Sequence, residues 1–301
     1  MTTRAMGPLA GLGWLKRGIN LGRHNARAVL GGAALLAVAA LLPSVIQLVV
    51  QGVFSPGQTG LLAIAAIATV ISILILSPLI GGYLRLIHAT EHNRPAHATD
   101  VLQPFKAGGD AGRLIGFGLL MTALYLAVAL LVIGLFGDGF LEWYMKVLAM
   151  SQNPPTDASA LPKMPDGFGR MLGLGSLLAL FLTGVYAIGF GQVALGSRPI
   201  GGAIADGVVG TLKNLLPLLV LAVVAFLMAM VLGLVLGLLM LLVGGIGSLI
   251  HPALGVALMV PVYLGLLLVL YVVMFGVMYH FWRDVCGDGV APVESNHSVA
   301  A

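Results

Sequence analysis

The chain has 301 residues, of which 59% are hydrophobic and 9% charged, with a formal net charge of +4 and a mean hydropathy of +1.05. So few charges cannot coat a water-soluble globule, which excludes that class and points to a bilayer. The positive excess is scattered over short connecting segments, so it reads as membrane topology and not as a nucleic-acid footprint.

The first predicted element is GWLKRGINLGRHN, residues 13–25. Leu15 and Ile19 lie four apart on one stripe while Lys16, Arg17 and Arg23 fall elsewhere, the pattern of a short amphipathic helix in the cytoplasmic interface. Two apolar runs follow, Arg27 to Val50 and Leu61 to Ile87. A hydrocarbon core of about 30 Å needs about 20 helical residues, and both runs reach that length. They are continuously apolar rather than alternating, which predicts helices and not barrel strands.

HATEHNRPAH, residues 88–97, closes the second run. His88 and His92 are four apart and share a helical face at a spacing that metal ligands use. Glu91 and His97 are near, and His280 and Cys286 could complete a site. The glutamate stands three residues after the first histidine, not one, so no zinc-protease signature is present. Polar side chains gathering where a helix leaves the membrane is the preferred reading, and no cofactor is expected. Residues 98–113 then form a weaker copy of the opening segment. Both HNRPAHATD and GSRPIGGAIAD place Arg-Pro after a span and before the next interfacial stretch.

The third span is Leu114 to Phe136 and the fourth Met171 to Leu195, separated by an exterior loop at 137–170. Within that loop FLEWYMKVLAM carries Phe140, Trp143 and Tyr144 in a helix-like pattern suited to the outer interface. The polar, proline-rich stretch after it would serve as a lid, a docking surface or an inert re-entry segment. GAIADGVVGTLKN, residues 202–214, echoes the opening: Gly13 matches Gly202, Leu15 Ile204, Gly18 Gly207, Ile19 Val208, and Asn25 Asn214. The asparagines suit a bend into the membrane, and Ile204 and Val208 continue the apolar stripe. The fifth and sixth spans are Leu215 to Val243 and Ala253 to Trp282, with a turn at GGIGSLIHPALG, residues 244–255; three spans in this uncharged interval is the alternative.

The plan is an all-α polytopic membrane helix bundle of six transmembrane helices with short cytoplasmic interfacial helices. One transmembrane domain covers 1–286, in three repeat units at about 10–95, 96–199 and 200–286, with a disordered cytoplasmic tail at 287–301. Twelve of the 15 lysines and arginines fall on one side of the spans, and only Lys146, Lys163 and Arg170 fall in the exterior loop. Both termini are therefore expected in the cytoplasm. No signal peptide is expected, because a long basic segment precedes the first apolar run.

The opening GWLKRGINLGRHN, the stretch SPLIGGYLRLIHATEHNRP and the closing VMYHFWRD resemble an uncharacterised family of bacterial six-span inner-membrane proteins. In plan the chain is distantly similar to the membrane domain attached to some glycerophosphodiester phosphodiesterases. The resemblance implies an all-helical bacterial inner-membrane protein without an established activity, and nothing of the phosphodiesterase catalytic domain is present.

Membrane lipids are the expected partners, with a second copy or another membrane protein as further candidates and no nucleic acid. Lys16, Arg17, Arg23, Arg27, Arg85, Arg94 and Lys213 are the candidate headgroup-binding residues. Gln47, Ser77 and Gln192, with kinks at Pro43, Pro78, Pro217 and Pro261, are candidates for lining a solute cavity. No charged residue lies near a span midplane, which disfavours ion-coupled transport. Gly112 with Gly116, and Gly233 with Gly237, are expected to pack helices together within the bundle. The reading is a non-enzymatic membrane protein that organises lipids or partner proteins. A small transporter for a neutral or lipidic solute is the first alternative, and a membrane enzyme or metal binder using the histidines the second.

Overall fold

The computed structural model describes residues 3–23, 25–54, 58–152 and 162–287. The expected tail beyond residue 287 and part of the polar loop lie outside the described residues. The order is α1 (Ala10–Ile19), a 3-10 turn (Leu21–Arg23), α2 (Ala26–Phe54), α3 (Gln58–Glu91), a 3-10 segment (Ala98–Phe105), α4 (Ala111–Phe136), α5 (Phe140–Gln152), α6 (Phe168–Ala194), α7 (Ile200–Lys213), α8 (Leu215–Ile250) and α9 (Pro252–Cys286). Six of these helices, α2, α3, α4, α6, α8 and α9, are long and apolar enough to cross a membrane.

The helices run further than their apolar cores suggest. α8 continues through Gly244, Gly245 and Gly247 to Ile250, and the turn narrows to His251 and Pro252. The His251 ring accepts from the Ala253 N–H at 3.2 Å, and Pro252 takes the first helical position, where its missing N–H costs nothing. A Cβ on Gly247 would stand 2.7 Å from Gly255 Cα, so the hairpin closes backbone to backbone. Two spans, not three, fill the uncharged interval. With 36 and 35 residues they are about 54 and 52 Å long, too long to stand upright in a bilayer of roughly 40–45 Å. Pro43, Pro78 and Pro261 sit inside unbroken helices, so they do not divide their spans, and Pro217 occupies the first turn of α8.

The bundle is tight at one end. Trp14, Tyr83, Phe117, Phe190, Tyr279 and Phe281 are fully buried there, with the Trp14 and Phe281 rings 4.6 Å apart. Toward the other end the helices present apolar side chains outward: Leu130 is 69% exposed and Leu241 73%. In a membrane this surface is solvated by lipid, where it carries no hydrophobic penalty. Gly233 and Gly237 belong to it; nothing lies within 4 Å of a Cβ on either, so they do not pack the bundle as expected.

Apart from α5, the short segments lie at the tight end, and each rests on a hairpin. The 3-10 segment lies on α2 and α3, α7 lies along α6, and α1 lies across α8 and α9. The first element therefore covers the last hairpin. Contact is close: a Cβ on Gly82 would sit 2.1 Å from the Val101 carbonyl oxygen, and one on Gly11 would sit 2.3 Å from that of Pro217. Gly18 and Gly207 each face a valine carbonyl, Val273 at 2.9 Å and Val185 at 2.7 Å from the added Cβ.

The buried faces of α1 and α7 differ from the expected stripe. In α1, Gly11, Trp14, Leu15 and Gly18 turn inward, and Ile19 is half exposed. In α7, Ala203, Asp206, Gly207, Gly210 and Thr211 turn inward and Ile204 and Val208 only partly. Small residues dominate that face because α6 approaches closely, with Thr211 seated against Gly184, and Asp206 can enter because partners await it.

Candidate functional site at the two ends of the bundle

At the tight end, three helix starts carry a small hydrogen-bonding residue that holds a distant chain segment. Asn214, fully buried between α7 and α8, accepts from the Met6 N–H and donates to the carbonyls of Arg4 and Gly210, each at 2.8 Å. Asn25, before α2, donates to the Ala96 carbonyl at 3.1 Å and accepts from the Ala28 N–H at 3.1 Å. Asp110, before α4, accepts from Arg113 at 2.9 Å, and Arg113 donates onward to the carbonyls of Val193 at 2.9 Å and Ser197 at 3.4 Å. The segments held lead into α1, the 3-10 segment and α7 respectively, counting from Asn214. Asp110 and Asn214 also share a backbone conformation, with φ/ψ of −108°/26° and −119°/23°.

Ion pairs join the same elements. Arg85 grips Asp110 with two parallel bonds of 2.9 and 2.6 Å and donates to the Ala194 carbonyl at 2.9 Å. Burial alone would raise the Asp110 carboxyl, but the guanidiniums of Arg85 and Arg113 outweigh it and hold the group below its ordinary value. Arg198 and Gln192 both donate to Asp206, at 2.9 and 2.8 Å, and Trp282 donates to Gln192 at 3.4 Å. Arg17 pairs with Asp284, which also accepts from Trp14 at 3.0 Å, tying α1 to α9. Arg283 meets Glu91 at 3.3 Å, tying α9 to α3.

Of the expected headgroup residues, Arg17 and Arg85 are thus committed inside the protein, because a carboxylate stands in reach of each. Lys213 donates to the Thr3 carbonyl at 2.9 Å. Lys16, Arg23, Arg27 and Arg94 are exposed and make no side-chain ion pair or hydrogen bond among the described residues; Lys106 joins them.

The histidines do come together. The rings of His88 and His92 are 4.2 Å apart, His88 Nδ1 shares a hydrogen bond of 3.2 Å with the Tyr279 hydroxyl, and His92 Nδ1 donates to the His88 carbonyl at 2.7 Å. His280 is buried from α9 with both ring nitrogens unpartnered and Nε2 3.8 Å from Glu91. Among the described residues no group of three or more histidine, cysteine, aspartate or glutamate side chains has metal-holding geometry. His88 and His92 spend their Nδ1 atoms on protein partners, and Cys286 is buried.

Gln47, Ser77 and Gln192 do not share a cavity. Gln47 is half-buried in α2, the Ser77 hydroxyl fills the notch at Gly118, and Gln192 is consumed by Asp206 and Trp282.

Cavities also open among the described residues of the other end. A cleft of about 340 Å³ lies between α4 and α6, lined by apolar side chains from Tyr125 to Ile133 and from Met171 to Leu182, with Phe140 above. Next to it a pocket of about 520 Å³ is lined by Asp138, Glu142, Trp143, Lys146, Lys163 and Asp166. Phe140, Trp143 and Phe168 cluster where the two meet, with Phe140 stacked on Phe168, and Trp143 donates to the Pro162 carbonyl at 3.2 Å.

No family model matches the chain, and no curated protein or solved structure matches it. Its functional reading therefore rests on its own residues. Sequence reasoning missed the roles of Asp110, Arg113, Asp206 and Asp284, and it placed Glu91 beside the histidines rather than opposite Arg283. One signal was present: Asn25, Asp110 and Asn214 each immediately precede an apolar run, the place where such side chains cap helices.

Proposed function

We propose that the chain is a non-catalytic integral protein of the bacterial inner membrane, with both termini cytoplasmic, built of three like units closed into a ring and organising the lipid around it. The observation that carries this reading is the repeated clasp. Each of these short segments rests on a hairpin and is held by Asn25, by Asp110 with Arg113, or by Asn214, and the last unit closes onto the first. The orientation is supported by Lys146, Lys163 and Arg170 being the three cations of the loop side, with the other twelve of 15 at the tight end.

A ring whose polar groups are spent on one another is suited to rigidity and not to chemistry. Its five uncommitted cations, Lys16, Arg23, Arg27, Arg94 and Lys106, face the headgroups of the cytoplasmic leaflet. Each attracts anionic lipid by about 1 kcal/mol. Discs of native membrane cut around the protein should be enriched in anionic phospholipid over the bulk, and Arg23→Gln with Arg27→Gln and Arg94→Gln should remove the enrichment. Liposomes containing the protein should pass glycerol no faster than empty ones. Bulk lipid composition together with protein-dependent flux would favour the transporter instead.

A further inference from the structure

Resting on that membrane reading, we propose that the α4–α6 cleft and the pocket beside it form one site for a zwitterionic phospholipid. One acyl chain fills the cleft, and the headgroup sits between α5 and residues 162–166. The cleft's dimensions suit a chain. Tyr125 to Ile133 and Met171 to Leu182 span about 12 and 16 Å of helix, close to half of the roughly 30 Å hydrocarbon core, which is the depth of one leaflet. Its volume of about 340 Å³ falls within the range of roughly 300–1,000 Å³ seen for ligand cavities. The floor is closed where the Tyr125 hydroxyl donates to Thr183 Oγ1 at 3.4 Å. Leu172, Ser176 and Ala179 line the cleft and are exposed, so it opens sideways into lipid.

The rim names the class of lipid. Phe140 tops the apolar cleft and Trp143 lines the polar pocket; their rings are 5.9 Å apart on the first turn of α5. This is the level at which aromatic rings settle at a membrane surface. Lys146 and Lys163 offer cations to a phosphate, while Asp138, Glu142 and Asp166 offer carboxylates to an ammonium. None of the five forms an ion pair or hydrogen bond through its side chain among the described residues. With three acids against two lysines the pocket repels a net anion, and a headgroup carrying both phosphate and ammonium matches both sets. A neutral oil would have no use for the rim, and a free phosphate none for the shaft.

The test uses the full chain, purified in mild detergent, stripped of lipid and titrated with phosphatidylethanolamine or phosphatidylglycerol, with bound lipid counted by native mass spectrometry. One phosphatidylethanolamine should be held per chain. Gly175→Phe fills the shaft, since a Cβ there already touches Val132 at 3.7 Å, and should weaken binding at least about tenfold. Gly173→Phe, whose Cβ meets nothing within 4 Å, is the matched control and should bind like the parent. Lys146→Glu with Lys163→Glu should weaken phosphatidylethanolamine alone. Equal binding by Gly175→Phe and the parent would overturn the shaft, and equal retention of both lipids would overturn the headgroup assignment. Anionic enrichment at the opposite end does not depend on Gly175, so its loss would speak against the lipid-organising reading alone.

Discussion

Asn214→Ala removes the clasp that fastens the start of the chain to the junction of α7 and α8. Three hydrogen bonds of 2.8 Å go at once, to the Met6 N–H and to the carbonyls of Arg4 and Gly210. A typical internal hydrogen bond contributes about 0.5–1.5 kcal/mol net, so the three together amount to about 2–4 kcal/mol. The upper half of that range applies because Asn214 is fully buried and water cannot replace what is lost. Asn25→Ala supplies an internal scale: it removes two bonds of 3.1 Å from a half-buried residue and should cost about 1–2 kcal/mol. Denaturant titration of the purified protein gives both values, and limited proteolysis reports residues 3–9 directly. Asn214→Ala should expose that segment to cleavage before the bundle unfolds. An Asn214→Ala protein within 0.5 kcal/mol of the parent, with residues 3–9 still protected, would refute the reasoning.

Gly11→Ala should destabilise the bundle sharply, since its Cβ would fall 2.3 Å from the backbone oxygen of Pro217; Gly13→Ala, two residues on in open space, should be neutral or stabilising by thermal unfolding. The Asp110 carboxyl has a lowered pKa in the folded protein, so its stabilising contribution is fully present above the unfolded value of about 4 and is lost as pH falls through the folded value. The gap in thermal midpoint between the parent and Asp110→Asn should therefore hold steady at neutral pH and close only in strong acid.

The six spans were legible because each apolar run exceeds the length a bilayer needs and no water-soluble helix would tolerate it. Their ends were less so. Gly244 to Gly247 look like a turn by rules drawn from soluble proteins, yet α8 passes through them and ends only at Ile250, before the His251 cap of α9. The interfacial segments were visible as amphipathic stretches, but their orientation was not, because Asp206 turns inward to meet Arg198 and Gln192. Periodicity alone assigns an aspartate to the wet face. Arg17 and Asp284 lie 267 positions apart, and no local pattern in either segment names the other. The cleft beneath Phe140 was equally hidden, being made by the separation of α4 and α6 rather than by any motif.

Closure of the first element onto the last is most directly tested by a charge-exchange cycle between Arg17 and Asp284. Arg17→Asp and Asp284→Arg are measured singly and together by thermal unfolding of the full chain. The account predicts that each single change lowers the midpoint and that the double recovers part of the loss, incompletely because Trp14 also needs the Asp284 oxygen. Two losses that simply add would show that α1 does not rest on α9, and the ring of three units would be contradicted.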